Sequence, residues 1–181
     1  MKLFIEKNKK NSSKKNQLPL IFEGEDCIIQ ATELLHKWVN SEGDFFFVIG
    51  EIIGIRNNDY KLNKLIDWSL LEDQNNTSKI DGRYIVITKR NDNTISIWTD
   101  YFGRVDIYWT NKSNSIEVTT GIDLFSDKID KGQFDQNGLA QALTIYGSRP
   151  LKKHTLFSNI NRLGVQEKLI ITKDSLSIKK L

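Results

Sequence analysis

Arg83-Tyr84-Ile85-Val86-Ile87-Thr88-Lys89, the turn residues Asn91-Asp92-Asn93, and Thr94-Ile95-Ser96-Ile97-Trp98-Thr99 together decide the fold class. β-Branched and aromatic side chains fit the pleated, half-buried surface of a sheet, whereas Asn and Asp hydrogen-bond their own backbone and break it. The same rhythm recurs downstream: the spacing predicts a strand over 105–110, a turn over 111–115 and a strand over 116–120. Short turns join only antiparallel neighbours, so these pieces predict an antiparallel meander.

Working outward, Phe45-Phe46-Phe47-Val48-Ile49 is an apolar run too short for a helix and predicts a strand buried on both faces. Leu3-Phe4-Ile5 opens a first strand, and 17–22 forms a second, placed at an edge by Pro19. Between them, Ile28, Ala31, Leu34, Leu35, Trp38 and Val39 recur at helical spacing and predict an amphipathic helix over 28–39, which carries a solvated His36. Weaker helical spacing marks 62–71, and 73–78 reads as a polar loop. Asp135 caps a helix over 135–145, which Gly147 and Pro150 end. Strands over 155–160, 168–171 and 176–178 close the chain, which reads as one domain, 1–181.

Composition excludes several classes. At 181 residues the chain suits one domain, and 39% hydrophobic with 27% charged residues excludes a disordered or collagen-like chain. A net charge of +3 does not point to nucleic acid. Lys2, Lys7, Lys9, Lys10, Lys14 and Lys15 make residues 1–16 a basic segment, read as a flexible solvated stretch or a contact arm. No apolar run approaches the about 18–20 residues of a membrane-spanning helix, and Leu3-Phe4-Ile5 is too short for a signal-peptide core. The expected location is cytoplasmic, without a membrane partner. With Cys27 as the single cysteine, no internal disulfide can form.

Four segments then fall in a telling order. They are Ile80-Asp81-Gly82-Arg83-Tyr84; Thr99-Asp100-Tyr101-Phe102-Gly103-Arg104-Val105-Asp106-Ile107-Tyr108; Val118-Thr119-Thr120-Gly121-Ile122-Asp123-Leu124; and His154-Thr155-Leu156-Phe157-Ser158-Asn159-Ile160-Asn161-Arg162-Leu163-Gly164. In order and spacing they resemble the class II glutamine amidotransferase domain of asparagine-synthetase-like enzymes, over about half the chain. The resemblance implies an α+β fold, a four-layer αββα sandwich of two antiparallel sheets of the N-terminal-nucleophile hydrolase type. Asp100 and Gly103 are expected to build a structural turn, since Asp accepts backbone N–H groups and Gly permits positive φ.

The same resemblance implies a catalytic apparatus that this sequence lacks. The family's nucleophile is a cysteine directly after the initiator methionine; here Met1 is followed by Lys2, which cannot form the thioester. The family's Asn-Gly oxyanion pair corresponds to Ile49-Gly50, so the side-chain donor is gone and only the Gly50 backbone remains as a vestige. The Arg-Gly-Pro and Gly-Ser-Asp segments that hold glutamine have no counterpart before Phe45 or between Ile55 and Ile80. Cys27, beside Glu25 and Asp26, reads as an inert thiol. His36 and His154, without a cysteine pair, make no zinc site, and no phosphate-cradling loop occurs.

These readings imply a catalytically inactive glutaminase-like domain belonging to, or partnering, an ATP-dependent amide ligase such as β-lactam synthetase or lasso peptide cyclase. ATP and Mg would then be cofactors of the synthetase partner, domain or subunit, and a peptide substrate is a further possible partner. The chain ends near where the synthetase domain begins in such enzymes. The alternative is a stand-alone module docking an acidic peptide or protein through basic loops, including 149–154.

Overall fold

Apolar runs rich in β-branched and aromatic residues become strands over most of the chain. A computed structural model describes residues 1–8, 17–55, 69–72, 74–90, 92–111, 115–125, 134–144, 153–173 and 175–181. These residues group into two compact units: Met1 with Thr32–Val105 and Val165–Leu181, and Lys2–Ala31 with Asp106–Gly164. Each unit carries one six-stranded sheet, antiparallel throughout.

The sheet of the Lys2–Ala31 unit contains β1 (Leu3–Asn8), β2 (Leu20–Glu23), β3 (Cys27–Ala31), β8 (Tyr108–Asn111), β9 (Ser115–Thr119) and β10 (Asn161–Arg162), in the order β10-β8-β9-β1-β3-β2. β1 lies inside this sheet with Leu3, Phe4 and Ile5 fully buried, and β2 is an edge.

The other sheet contains β4 (Leu34–Val39), β5 (Phe45–Ile55), β6 (Ile80–Arg90), β7 (Thr94–Thr99), β11 (Glu167–Ile171) and β12 (Leu176–Lys180), in the order β12-β11-β7-β6-β5-β4. Phe45 through Ile49 are all buried, on both faces of β5. On one face Phe46 and Val48 pack with Tyr84, Val86, Trp98, Ile80 and Leu71, the last from the short helix α1 (Ser69–Glu72). On the other, the Phe45 and Phe47 rings stack at 4.7 Å. Burying each such ring stabilises the sheet by about 1.5–3 kcal/mol.

Four expectations are corrected. The helix over 28–39 is instead β3 and β4: all five residues of Cys27–Ala31 are buried, so no solvent face exists for an amphipathic helix. Glu33, between the two strands, has the left-handed φ of 61°. The meander is two hairpins, β6–β7 and β8–β9, each in a different sheet, because the Asp100 turn diverts the chain after β7. The strand over 155–160 is a turn with isolated bridges at its ends, Phe134 to Phe157 and His154 to Asn161. The Thr155 hydroxyl accepts the Phe157 amide at 3.0 Å and donates to the Ile160 carbonyl at 2.8 Å, taking over bonds that a ladder would use. Finally, the loop over 73–78 is a 3₁₀-helix at Gln74–Lys79; the Asp73 part of that reading, and 62–68 of the weak helical stretch, lie outside the described residues.

The second α-helix, α2 (Gln136–Leu143), starts at Asp135, whose carboxylate accepts the amides of Asn137 and Gly138. No helix among the described residues is long and apolar enough to cross a membrane.

Candidate functional site

Ile49 and Gly50 stand next to each other on β5. The Ile49 side chain is fully buried and lies opposite Ile85 of β6, so position 49 contributes packing and no hydrogen-bond donor. Gly50 adopts φ +116°, a region that L side chains rarely enter. A Cβ added there would sit 2.2 Å from the Arg83 carbonyl oxygen and 2.8 Å from the Met1 sulfur. Backbone and thioether thus fill the space around residue 50.

The Gly50 amide is engaged within the chain: it donates to the Glu33 carbonyl at 2.8 Å. Glu33 also presents its carboxylate to the Met1 ammonium at 2.6 Å, and the Met1 side chain is 1% exposed. Glu33 has a left-handed backbone, φ 61°, just before β4, which slips register against β5 between Leu34 and His36. Sequence reasoning missed Glu33, having placed it inside a helix, and nothing in the mixed polar and apolar stretch 28–39 singled it out.

Lys2 belongs to the other unit. Its side chain is exposed, 3.9 Å from the Asp123 carboxylate, itself exposed. An ammonium facing solvent and a carboxylate carries no activated nucleophile. Within the same unit Leu3 is tied to Thr120 twice: the Leu3 amide donates to the Thr120 hydroxyl at 2.9 Å, and the Thr120 amide to the Leu3 carbonyl at 3.2 Å.

The Asp100–Gly103 segment is a turn built around a buried carboxylate. Asp100 accepts the Phe102 amide through Oδ1 and the Arg104 amide through Oδ2, both at 3.1 Å, and its carbonyl accepts the Gly103 amide at 2.9 Å. Gly103 has φ 62°, and a Cβ there would press on Val165. Burial pushes the Asp100 carboxyl above its ordinary value, outweighing the two amides and the Arg104 charge that pull it down. The Asp100 amide donates to the Tyr84 carbonyl at 3.1 Å, fixing the turn to β6. Arg104 closes the arrangement by donating to the Asp81 carboxylate at 2.6 Å and the Gly82 carbonyl at 2.7 Å, with its guanidinium 4.9 Å from the centre of the Phe102 ring. Gly82 must be small, because a Cβ would lie 2.4 Å from the Glu51 carbonyl.

Cys27 is buried in β3. His36 lies on β4 with its ring 5.4 Å from that of Phe46, and His154 Nδ1 is 3.2 Å from Asp135 Oδ2. Among the described residues no three His, Cys, Asp or Glu side chains cluster to hold a metal. The lysines at 9, 10, 14 and 15, and 149–152 of the basic loop, lie outside the described residues. Compared with known protein families and with curated protein sequences, the chain matches none.

Proposed function

We propose that this chain is a glutaminase-dead domain of the class II amidotransferase type, which acts as the structural partner of an ATP-dependent, asparagine-synthetase-type amide ligase. In this reading the two antiparallel sheets are the inner layers of an αββα sandwich of the N-terminal-nucleophile hydrolase kind. The observation that carries it is the hydrogen bond from the Gly50 amide to the Glu33 carbonyl. Hydrolysis of a glutamine amide passes through a tetrahedral oxyanion, which needs preorganised donors; losing one costs about 10²–10³ in rate. Here the residue that would supply the side-chain donor is the buried Ile49, and the adjacent amide already has an acceptor.

Lys2 completes the argument, since an exposed ammonium paired with Asp123 cannot attack a carboxamide or carry an acyl group as a thioester. ATP and Mg belong to the ligase partner: the glycines of this chain occur singly and form no phosphate-cradling loop. The amine for amide formation then comes from the ligase's own substrate, and this domain contributes packing.

Incubating the purified chain with glutamine and following glutamate by a coupled assay tests the proposal. The expected rate equals that of the protein-free control, and saturable turnover would refute the dead site. The partner half is tested in two steps: the flanking DNA is expected to hold a synthetase-type reading frame, in phase or adjacent, and its product is then co-expressed with the chain. A complex in equal ratio is expected, and separate elution of the two proteins defeats that half.

A further inference from the structure

We propose that the Lys168–Lys179 pair, on one face of the β4–β7, β11, β12 sheet, is a binding site for a doubly charged phosphoryl group. Lys168 of β11 lies directly opposite Lys179 of β12 in the antiparallel register. Side chains so placed share a face with Cβ atoms about 4.5–5.5 Å apart, and like charges there destabilise the sheet. Neither lysine makes an ion pair among the described residues. The nearest acid in sequence, Glu167, lies opposite Lys180, and strand alternation puts both on the other face.

Lys168 is also held in place. Lys168 extends over Trp98 with Nζ 4.9 Å from the ring centre, and Trp98 is 1% exposed, so the lysine stem rests on a rigid platform. The indole Nε1 is buried without an acceptor, so Trp98 anchors the lysine and does not itself reach a ligand in solvent. Lys168 is half-buried while Lys179 is exposed, which leaves the site open on the β12 side. Burial first, and the Lys179 charge second, push the Lys168 ammonium below its ordinary value, a cost that a bound anion removes.

Charge matching selects the ligand class. Two ammonium groups call for about two negative charges, and a phosphate monoester carries about −1.5 to −2 at pH 7, whereas a carboxylate neutralises only one. Lysine suits this role as a point-charge donor to phosphate oxygens. The site lies wholly within one unit and stands independently of the amidotransferase reading.

Thermal unfolding in inorganic pyrophosphate, against sodium chloride at matched ionic strength, tests the site. The wild-type chain is expected to show a saturable rise in midpoint temperature with pyrophosphate only. Lys168→Met and Lys179→Met keep an apolar stem while removing the charge, and each weakens apparent affinity by about tenfold or more. Lys179 is exposed, so its variant folds even where Lys168→Met does not. Phosphatidate vesicles separate the sources: co-sedimentation lost in Lys179→Met assigns a lipid headgroup, and a response to pyrophosphate alone assigns a soluble phosphate compound. An equal rise with chloride, or an unchanged response in Lys179→Met, overturns the proposal.

Discussion

Glu33 holds two groups at once: its carbonyl oxygen accepts the Gly50 amide at 2.8 Å, and its carboxylate accepts the Met1 ammonium at 2.6 Å. The position that resembles an oxyanion site is therefore saturated by the chain's own backbone. Gly50, Glu33 and Met1 form one packed corner of the sheet, and its chemistry is structural.

Gly50→Ala is expected to be among the most damaging single substitutions. The new Cβ meets the Arg83 carbonyl at 2.2 Å, on a backbone that β5–β6 pairing holds in place, and φ +116° adds strain. The loss should reach about 3 kcal/mol or more, since neither backbone can yield cheaply. Urea unfolding measures it; a loss below about 1 kcal/mol would mean the corner is loosely packed.

Under the proposed amidotransferase reading, installing that family's catalytic residues is expected to create no activity. Lys2→Cys combined with Ile49→Asn is expected to release no glutamate from glutamine, because the Gly50 amide keeps its Glu33 acceptor. Ile49→Asn alone should destabilise by about 2–4 kcal/mol, from a buried amide without partners and lost apolar packing. Turnover by the double variant, measured against Lys2→Ala, contradicts the saturated-site argument.

Asp100 should give stability a distinctive pH dependence. Its folded value is raised, so its favourable contribution is complete below the unfolded value, near 3.8, and fades as pH rises through the folded value. Asp100→Asn has no carboxyl to ionise. Its stability relative to wild type is expected to improve as pH increases across that window, and then to level off. Parallel pH profiles for the two proteins would remove Asp100 as the source.

Asp135 behaves in the opposite sense. The Gly138 amide first, then His154 and the Asn137 amide, hold its carboxyl below the ordinary value. Its contribution is present above the unfolded value and is lost as pH falls through the lowered one. Asp135→Ala removes the cap of α2 and should cost about 1 kcal/mol at neutral pH, less as the solution is acidified. Denaturation of wild type and variant at two pH values decides it; a constant difference excludes the carboxylate as the cap.

Much of the sheet content was legible. Val86, Ile87, Ile95, Ile97 and Trp98 carry a pattern that only strands satisfy, and the Asp135 cap announced α2 correctly. Residues 28–39 misled because their apolar residues fall at helical spacing by accident of two adjacent strands. The adjacent β-branched Ile28 and Ile29 were the contrary signal, and both are buried in β3. Lys168 opposite Lys179 was invisible, since cross-strand register is a long-range property.

By itself, the sequence determined that the runs around Val86 and Ile97 form strands, that the Asp100–Gly103 stretch turns, and that positions 2 and 49 carry a lysine and an isoleucine, with neither a thiol nor a side-chain amide. Those outcomes depend on local propensity and on side-chain chemistry, both carried by each residue wherever it lies. Only the tertiary structure decided that β7 and β8 enter different sheets and that Glu33 accepts the Gly50 amide. Backbone hydrogen bonds between distant residues follow from register, and no spacing along the chain encodes which carbonyl reaches which amide.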